Sequence, residues 1–527
     1  MDEDHKAGPI APFTAGELGT CLKVLEAIAA DRSALAITDQ PTRQRLLEAA
    51  GRVSLPGRAE QRKLAKAFRR RERDQDRAED EAVLDATGIR SGRRAPVFAT
   101  PLPALDVSPS ASAPRSLVSP GVPPRPGEPR VTVDAPVEAE GDGPALREPR
   151  KCYVCKRAFS RPHFFYDQLC PPCAAFNYEK RTQTADLRGR VALVTGARVK
   201  IGYQAAILLL RAGARVIVTT RFPHDAARRY AAEADYPAWA DRLSIHGLDL
   251  RLTPAVERLA HHLDRTLDRL DFILHNACQT VRRPSAYYAH LLDFETREPA
   301  SLPAPMRPLL ADYHEERRAR RASRHDDPAL LSQAAVLPED RALAGRVDLF
   351  PRGELDADQQ QIDLRPQNSW RMTLAEVPTV ELLEVQLVNA VAPFVLSSKL
   401  KPLMLRQRTF DKHIVNVSAM EGQFYRDHKT DRHPHTNMAK AALNMLTRTS
   451  AADYAKDGIH MNSVDTGWVT DEDPAVLAER KREEHGFHPP LDIVDGAARI
   501  VDPIFTGLRT GEHPSGLFFK DYLPTDW

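Results

Sequence analysis

The chain has 527 residues and a formal net charge of +2, enough length for two or three domains. So even a charge balance gives no reason to expect a nucleic-acid or membrane partner, and no apolar run reaches the roughly 18 residues of a membrane span. The opening residues Met1-Asp2-Glu3-Asp4-His5 are acidic and lack the apolar core of a signal peptide, so the default location is cytoplasmic.

The first predicted region, 1–94, is helical. Thr14 followed by Glu17 is a capping box, and Leu18, Cys21, Leu22, Leu25 and Ile28 repeat at helical spacing. A second helix is predicted over Thr42–Ala50, stopped by Gly51, and a third, highly charged one from about Arg58 to Val83. Its run Arg69-Arg70-Arg71-Glu72-Arg73-Asp74 reads as a solvated face of mixed charge or as a contact for an acidic partner. These helices are candidates for a protein partner. Residues 95–150 recur in proline and are poor in aromatics, which predicts a disordered linker.

A compact cysteine pattern follows at 151–181. Cys152-x2-Cys155 and Cys170-x2-Cys173 stand fourteen residues apart. Two such knuckles suit tetrahedral Zn²⁺, because each pair presents two thiolates to one side of the ion. Four thiolates close the site, so the expected role is structural. Phe159, Phe164, Phe165 and Tyr166 offer a small core, and His163 reads as packing rather than as a ligand.

From 186 to the end, apolar runs alternate with helical patterns. The runs are Val191–Thr195, Val216–Thr220, Leu243–Leu248, Phe272–His275, His413–Val417 and His460–Val464. This rhythm predicts an α/β fold: a doubly wound parallel sheet with crossover helices. A polar stretch at about 285–370 is too long for a simple connection and reads as an insertion, either a lid or a disordered loop. The first run leads into Thr195-Gly196-Ala197-Arg198-Val199-Lys200-Ile201-Gly202 and then a helical pattern. Strand, glycine turn and helix start together present backbone N–H groups to a pyrophosphate.

The order of motifs in this region resembles the short-chain dehydrogenase/reductase family. Thr195 to Gly202 resembles its TGxxxGIG turn, and His275-Asn276-Ala277-Cys278 its NNAG. Asn389 in Val388–Phe394 resembles the helix with the catalytic Asn. Ile414–Ala419 resembles the strand ending in the catalytic Ser, and Ala439-Lys440-Ala441-Ala442-Leu443 the segment with the catalytic Lys. Asn462–Val469, including Gly467, resembles the segment that covers the nicotinamide, and Asp249 sits where the family places an acid beside adenine. The resemblance implies a Rossmann fold, NADP(H) or NAD(H) as cofactor, and a small-molecule carbonyl, alcohol or enone substrate. It also implies a homo-oligomer built on the Asn389 and Lys440 helices. The cofactor set is then Gly196, Arg198, Lys200, Ile201, Gly202, Arg221, Asp249, Asn276, Ala277, Lys440 and Gly467. The catalytic set is Asn389, Ser418, Thr436 and Lys440.

Four positions in this pattern stand out. Lys200 replaces a turn glycine and offers a point charge to the phosphates. Arg221 ends the second strand where an NAD-selective site has an acid; a guanidinium suits a 2′-phosphate, with Arg198 assisting, so NADP(H) is expected over NAD(H). Thr436 occupies the position of the YxxxK tyrosine, and an aliphatic hydroxyl is too weak an acid for that role near pH 7. Counted back from Gly422, the serine slot falls on Ala419, with Ser418 one residue earlier. Tyr425 and His435 are alternative acids. If no acid serves, the expected function is a non-catalytic NADP(H) sensor or scaffold. Arg282 and Arg283 suggest an anionic substrate, or else ion pairs with acids of the insertion.

Overall fold

The computed structural model describes residues 13–102, 144–322, 326–425 and 429–527. The chain divides into two compact units, Met1–Glu79 and Asp80–Trp527. Most of the predicted linker lies outside the described residues.

In the first unit, Thr14 caps the helix Ala15–Ala30: Glu17 N–H donates to Thr14 Oγ1 (3.2 Å) and Thr14 N–H donates to Glu17 Oε2 (2.6 Å). Its apolar stripe, Leu18, Leu22 and Leu25, is exposed. The next helix, Gln40–Ser54, runs through Gly51 instead of stopping there. It ends because Leu55 precedes Pro56, and the proline ring disfavours helical backbone at the residue before it. The charged helix Arg58–Asp85 continues past the predicted end at Val83.

The second unit begins earlier than the sequence suggested. Residues 98–101, expected in the linker, pack on the α/β fold: Phe98 N–H donates to Ala357 O, and Thr100 bonds Glu233 and Gln204. A short antiparallel pair, β1 (Arg150–Lys151) and β2 (Ala158–Phe159), opens the cysteine segment. The main sheet contains β3 (Val191–Thr195), β4 (Arg215–Thr220), β5 (Leu243–Gly247), β6 (Phe272–His275), β7 (Lys412–Ser418), β8 (Ile459–Asp465), β9 (Phe518–Lys520) and β10 (Leu523–Thr525). Its order is β10-β9-β8-β7-β6-β3-β4-β5, parallel except for β10.

The central strands are continuous apolar runs because helices cover both faces. Helices Lys200–Arg211, Pro223–Ala231 and Ile493–Thr510 bury Ala205, Leu209, Tyr230 and Ile500 against Val194, Val218 and Val415. Helices Thr253–Thr266, Ala392–Leu405 and Pro434–Ala455 bury Leu263, Leu400 and Ala451 against Leu193, Ile273 and Ile414. The strand order reverses between β3 and β6. Crossovers leave in opposite directions there, and a crevice opens at the C-terminal strand ends.

The described part of the insertion, read from the sequence as a lid or a disordered loop, is folded. Helix Ser285–Glu295 buries Tyr287, Tyr288 and Leu291 with Phe222 and Phe350. Helix Ala311–Ala319 runs along β5, the strand at one edge of the sheet. Among the described residues, one helical stretch, Thr379–Leu405, is long and apolar enough to cross a membrane; here it carries Asn389 and packs on the sheet.

Candidate active site

The glycine turn is built by close approach between β3 and the segment after β6. Gly196 has φ +68°, and a Cβ on it would lie 2.7 Å from Ala277 Cα. A Cβ on Gly202 would lie 2.2 Å from Asn276 Nδ2, which donates to the carbonyls of Thr195 and Gly196 (3.1 Å each). Ala277 N–H donates to Thr195 Oγ1 (3.1 Å). Thus Asn276 and Ala277 serve to hold the turn shut. Lys200 has φ +56°, a left-handed backbone that a side chain adopts at a cost of about 1 kcal/mol. It starts the helix Lys200–Arg211, whose first N–H groups have no intrahelical partner and face the crevice.

The crevice is a cleft of about 1250 Å³. It brings together Gly196, Arg198, Lys200, Ile201, Gly202, Arg221, Asp249, Asn276 and Ala277. Arg221 Nη2 donates to Tyr288 Oη (2.7 Å), and its guanidinium lies 4.6 Å from the Tyr288 ring centre. Among the described residues no carboxylate salt-bridges Arg221, which lines the cleft and whose charge helps hold the Asp249 carboxyl below its ordinary range. Arg198, expected to assist it, is instead tied to buried Asp225 (2.7 Å) and to Gln360 (3.3 Å). Lys200 Nζ lies 4.0 Å from Asp358 of the insertion. Asp249 is clamped by Arg251, which also reaches Glu384 (2.7 Å). The insertion supplies the outer wall, with Asp356, Gln360, Ile362 and Asp363 in the lining.

Arg282 and Arg283 are engaged by the protein itself. Arg282 makes a bidentate pair with Asp340 (2.8 Å twice) and reaches Glu384 (3.1 Å); Arg283 pairs with Asp363. Two of those acids, Asp340 and Asp363, belong to the insertion, which is the ion-pair alternative read from the sequence.

The residues expected to do chemistry sit elsewhere. Asn389 lies in a single π-helical turn, Leu387–Val391, a feature that recurs at functional sites. Its amide accepts from Gln279 N–H (2.8 Å) and donates to Gln279 O (3.2 Å), fixing the loop at the cleft's inner end. Lys440 Nζ donates to Val417 O (2.8 Å) at the end of β7. Ser418 and Thr436 are buried, and neither hydroxyl has a hydrogen-bond partner among the described residues. None of Ser418, Thr436 and Lys440 lines the cleft, and neither does Gly467. Gly422 explains the crowding, since a Cβ there would lie 2.7 Å from the Lys440 backbone. Of the alternative acids, Tyr425 is exposed, while His435 is buried with Nε2 3.7 Å from Glu381. Residues 426–428 lie outside the described residues.

One group was passed over in the sequence. Asp465 ends β8 and is the register partner of Ser418. Parallel neighbours point the same way, here toward the Lys440 helix, at a strand spacing of about 4.8 Å. Burial pushes the Asp465 carboxyl up to about 6, although Gly467 N–H donates to it (3.0 Å) and Lys520 Nζ lies 3.7 Å away. The available signal was an acid in a segment that otherwise resembles NSVSPGWV.

The four cysteine sulfurs all lie within 4.8 Å of one another, and Cys155 Sγ is 3.6 Å from Cys170 Sγ. A tetrahedral ion with Zn–S bonds near 2.3 Å needs sulfurs roughly 3.8 Å apart, so the donor set fits Zn²⁺. Cys152, Cys155, Cys170 and Cys173 would hold it and leave no open position. The segment docks on the helix Ile493–Thr510. Tyr166 Oη donates to Asp495 (2.5 Å), Arg181 pairs with Asp492 (2.6 Å) and Asp495 (2.9 Å), and Trp468 N–H donates to Tyr153 Oη (3.0 Å).

Comparison with known proteins agrees with this architecture. Residues 190–293 match the family model described as short chain dehydrogenase, and residues 364–488 match the model described as enoyl-(acyl carrier protein) reductase. The chain belongs to the short-chain dehydrogenase/reductase family. It is 30% identical over 372 residues to the uncharacterized protein R665 of Acanthamoeba polyphaga mimivirus, covering 68% of this chain and 71% of that one. It is 32% identical over 118 residues to dehydrogenase/reductase SDR family member 13 of Bos taurus, 22% of this chain and 29% of that protein. Among solved structures, a dehydrogenase/reductase from Sinorhizobium meliloti aligns at a TM-score of 0.40 and 18% identity, covering 65% of this chain and 97% of that one.

Proposed function

We propose that this chain is an NADP(H)-dependent oxidoreductase acting on a carbonyl, alcohol or enone carbon of a small molecule. The observation that carries the reading is the cleft at the strand reversal, with the open helix N-terminus on one side and Arg221 on the other. Arg221 is half-buried, stacked on Tyr288 and outside salt-bridge distance of any carboxylate among the described residues, which suits a 2′-phosphate. NADPH bound there supplies the hydride. Asn389 fixes the Gln279 loop at the inner end, and the family resemblance implies a role for Lys440, which stands behind the lining on Val417 O. Because Thr436 cannot serve as the acid, we assign the proton to the carboxyl of Asp465, which lies beside Ser418 at the C-terminal end of β8, behind the residues that line the cleft. In reduction the carbonyl carbon gains the hydride and its oxygen gains that proton.

The test is a fluorescence titration with NADPH and NADH, together with turnover at 340 nm on carbonyl, quinone and enone acceptors. We expect NADPH to bind, Arg221→Ala to weaken NADPH at least tenfold, and NADH binding to stay unchanged. Binding without turnover would turn the reading to an NADP(H) sensor or scaffold, and no binding of either nucleotide would overturn it. We also propose a homo-oligomer through the helices that carry Asn389 and Lys440, which expose Leu383, Phe394, Met438 and Met445.

A further inference from the structure

We propose that His246, His262 and Asp312 form a second metal site, a divalent transition-metal clasp fastening the insertion to the edge of the sheet. The three residues come from three elements. His246 lies on the edge strand β5, His262 on the helix Thr253–Thr266 behind it, and Asp312 on the insertion helix Ala311–Ala319. Their ligand atoms all lie within 4.8 Å of one another. His262 Nε2 is 3.0 Å from Asp312 Oδ1, and His246 Nε2 is 3.2 Å from Asp312 Oδ2. An ion with N and O ligands near 2.0–2.1 Å in tetrahedral geometry needs ligand edges of roughly 3.4 Å; the observed 3.0 and 3.2 Å run to the two oxygens of Asp312, so a small turn of that carboxylate brings one oxygen onto the ion. Two imidazoles and one carboxylate suit Zn²⁺, Fe²⁺ or Co²⁺ rather than Mg²⁺ or Ca²⁺.

A second observation points the same way. His246 is only 3% exposed, and its Nε2, aimed at this cluster, has no aligned hydrogen-bond partner. Its nearest polar atom, Asp312 Oδ2 at 3.2 Å, is poorly aligned for a hydrogen bond, and coordination would satisfy the nitrogen better. Beside the cluster lies a cavity of about 40 Å³ bordered by His246, His262 and Glu316, room for an ion and a water as fourth ligand. The close approach of the insertion helix is built into the strand: a Cβ on Gly247 would lie 2.4 Å from Tyr313 Oη. The clasp therefore covers an open sheet edge and steadies the segment that also walls the cleft.

The test uses the full-length protein loaded with Zn²⁺ or Co²⁺. Metal content is counted by mass spectrometry in wild type, His262→Gln and Asp312→Asn. We expect each variant to hold one equivalent less than wild type, with the cobalt–thiolate charge-transfer band of the cysteine site unchanged. Equal metal content in all three proteins overturns the proposal. Should the variants fail to fold, X-ray absorption of the zinc-loaded wild type decides: a nitrogen/oxygen shell supports the clasp, and sulfur ligands alone overturn it.

Discussion

At the scale of single residues, two positions hold unfavourable states that the fold sustains. Lys200 keeps a left-handed backbone where glycine is at ease. Lys200→Gly is expected to raise stability by about 1 kcal/mol in urea unfolding, with little lost from its long contact to Asp358. The same change is expected to weaken NADPH binding, because the phosphates lose a charge. Asp465 is the second case. Its carboxyl is pushed up to about 6 by burial, so the folded protein holds a proton that the unfolded chain releases near pH 4. Stability therefore falls as pH rises from about 4 to 6 and stays lower above that. Asp465→Asn is expected to stabilise the protein at pH 7–8, by about 1–3 kcal/mol, with the gain vanishing below pH 4. If Asp465 delivers the proton, reduction slows as pH rises through about 6 in wild type, and Asp465→Asn abolishes that slope along with most of the turnover. A variant as active as wild type, with the same slope, would remove Asp465 from the mechanism.

At the scale of elements, the insertion is held by ion pairs as well as by apolar packing. Asp340 is fully buried and satisfies Arg282 through both oxygens. Asp340→Ala leaves that guanidinium with Glu384 alone and is expected to destabilise the protein by about 3 kcal/mol. Protease cleavage should then concentrate in 326–370. Legibility in the sequence also divides by element. The central strands were readable because strands buried on both faces become unbroken apolar runs, and they begin and end within a residue of the expected positions. The turn, from Thr195 to Gly202, was readable because its glycines answer to particular backbone contacts. What could not be read was partnership. Arg198 looks like a phosphate ligand until Asp225 is seen beside it, and Arg282 looks like a substrate anchor until the insertion folds back with Asp340. Strands β9 and β10 were missed because three-residue elements carry too short an apolar pattern. Asp465 was missed because its meaning depends on burial and on its neighbour Ser418, neither of which has a local signal.

At the scale of the molecule, the cysteine segment is joined to the α/β fold by buried contacts, and Tyr153 touches the backbone of Trp468. Stripping a metal from Cys152, Cys155, Cys170 and Cys173 with a chelator is expected to lower Tm by several degrees and to change Trp468 fluorescence; an unchanged spectrum and Tm would show that the segment stands without an ion. The exposed apolar residues of the Asn389 and Lys440 helices are expected to pair two copies. Phe394→Glu should then convert a dimer to a monomer in analytical ultracentrifugation.

The sheet order bears on how the chain reaches this state. β3, β4, β5 and β6 follow one another closely in sequence, whereas Phe272 of β6 pairs with His413 of β7 about 140 residues later. Each doubling of the intervening chain adds only about 0.6 kcal/mol of closure entropy, so the native state tolerates the detour. The rate of folding is more sensitive, because long-range pairing must await that closure. The half-sheet β5-β4-β3-β6 should thus gain hydrogen-exchange protection first, with β7 and β8 following only after the insertion has collapsed, so that the nucleotide-side wall is assembled before the lysine side exists.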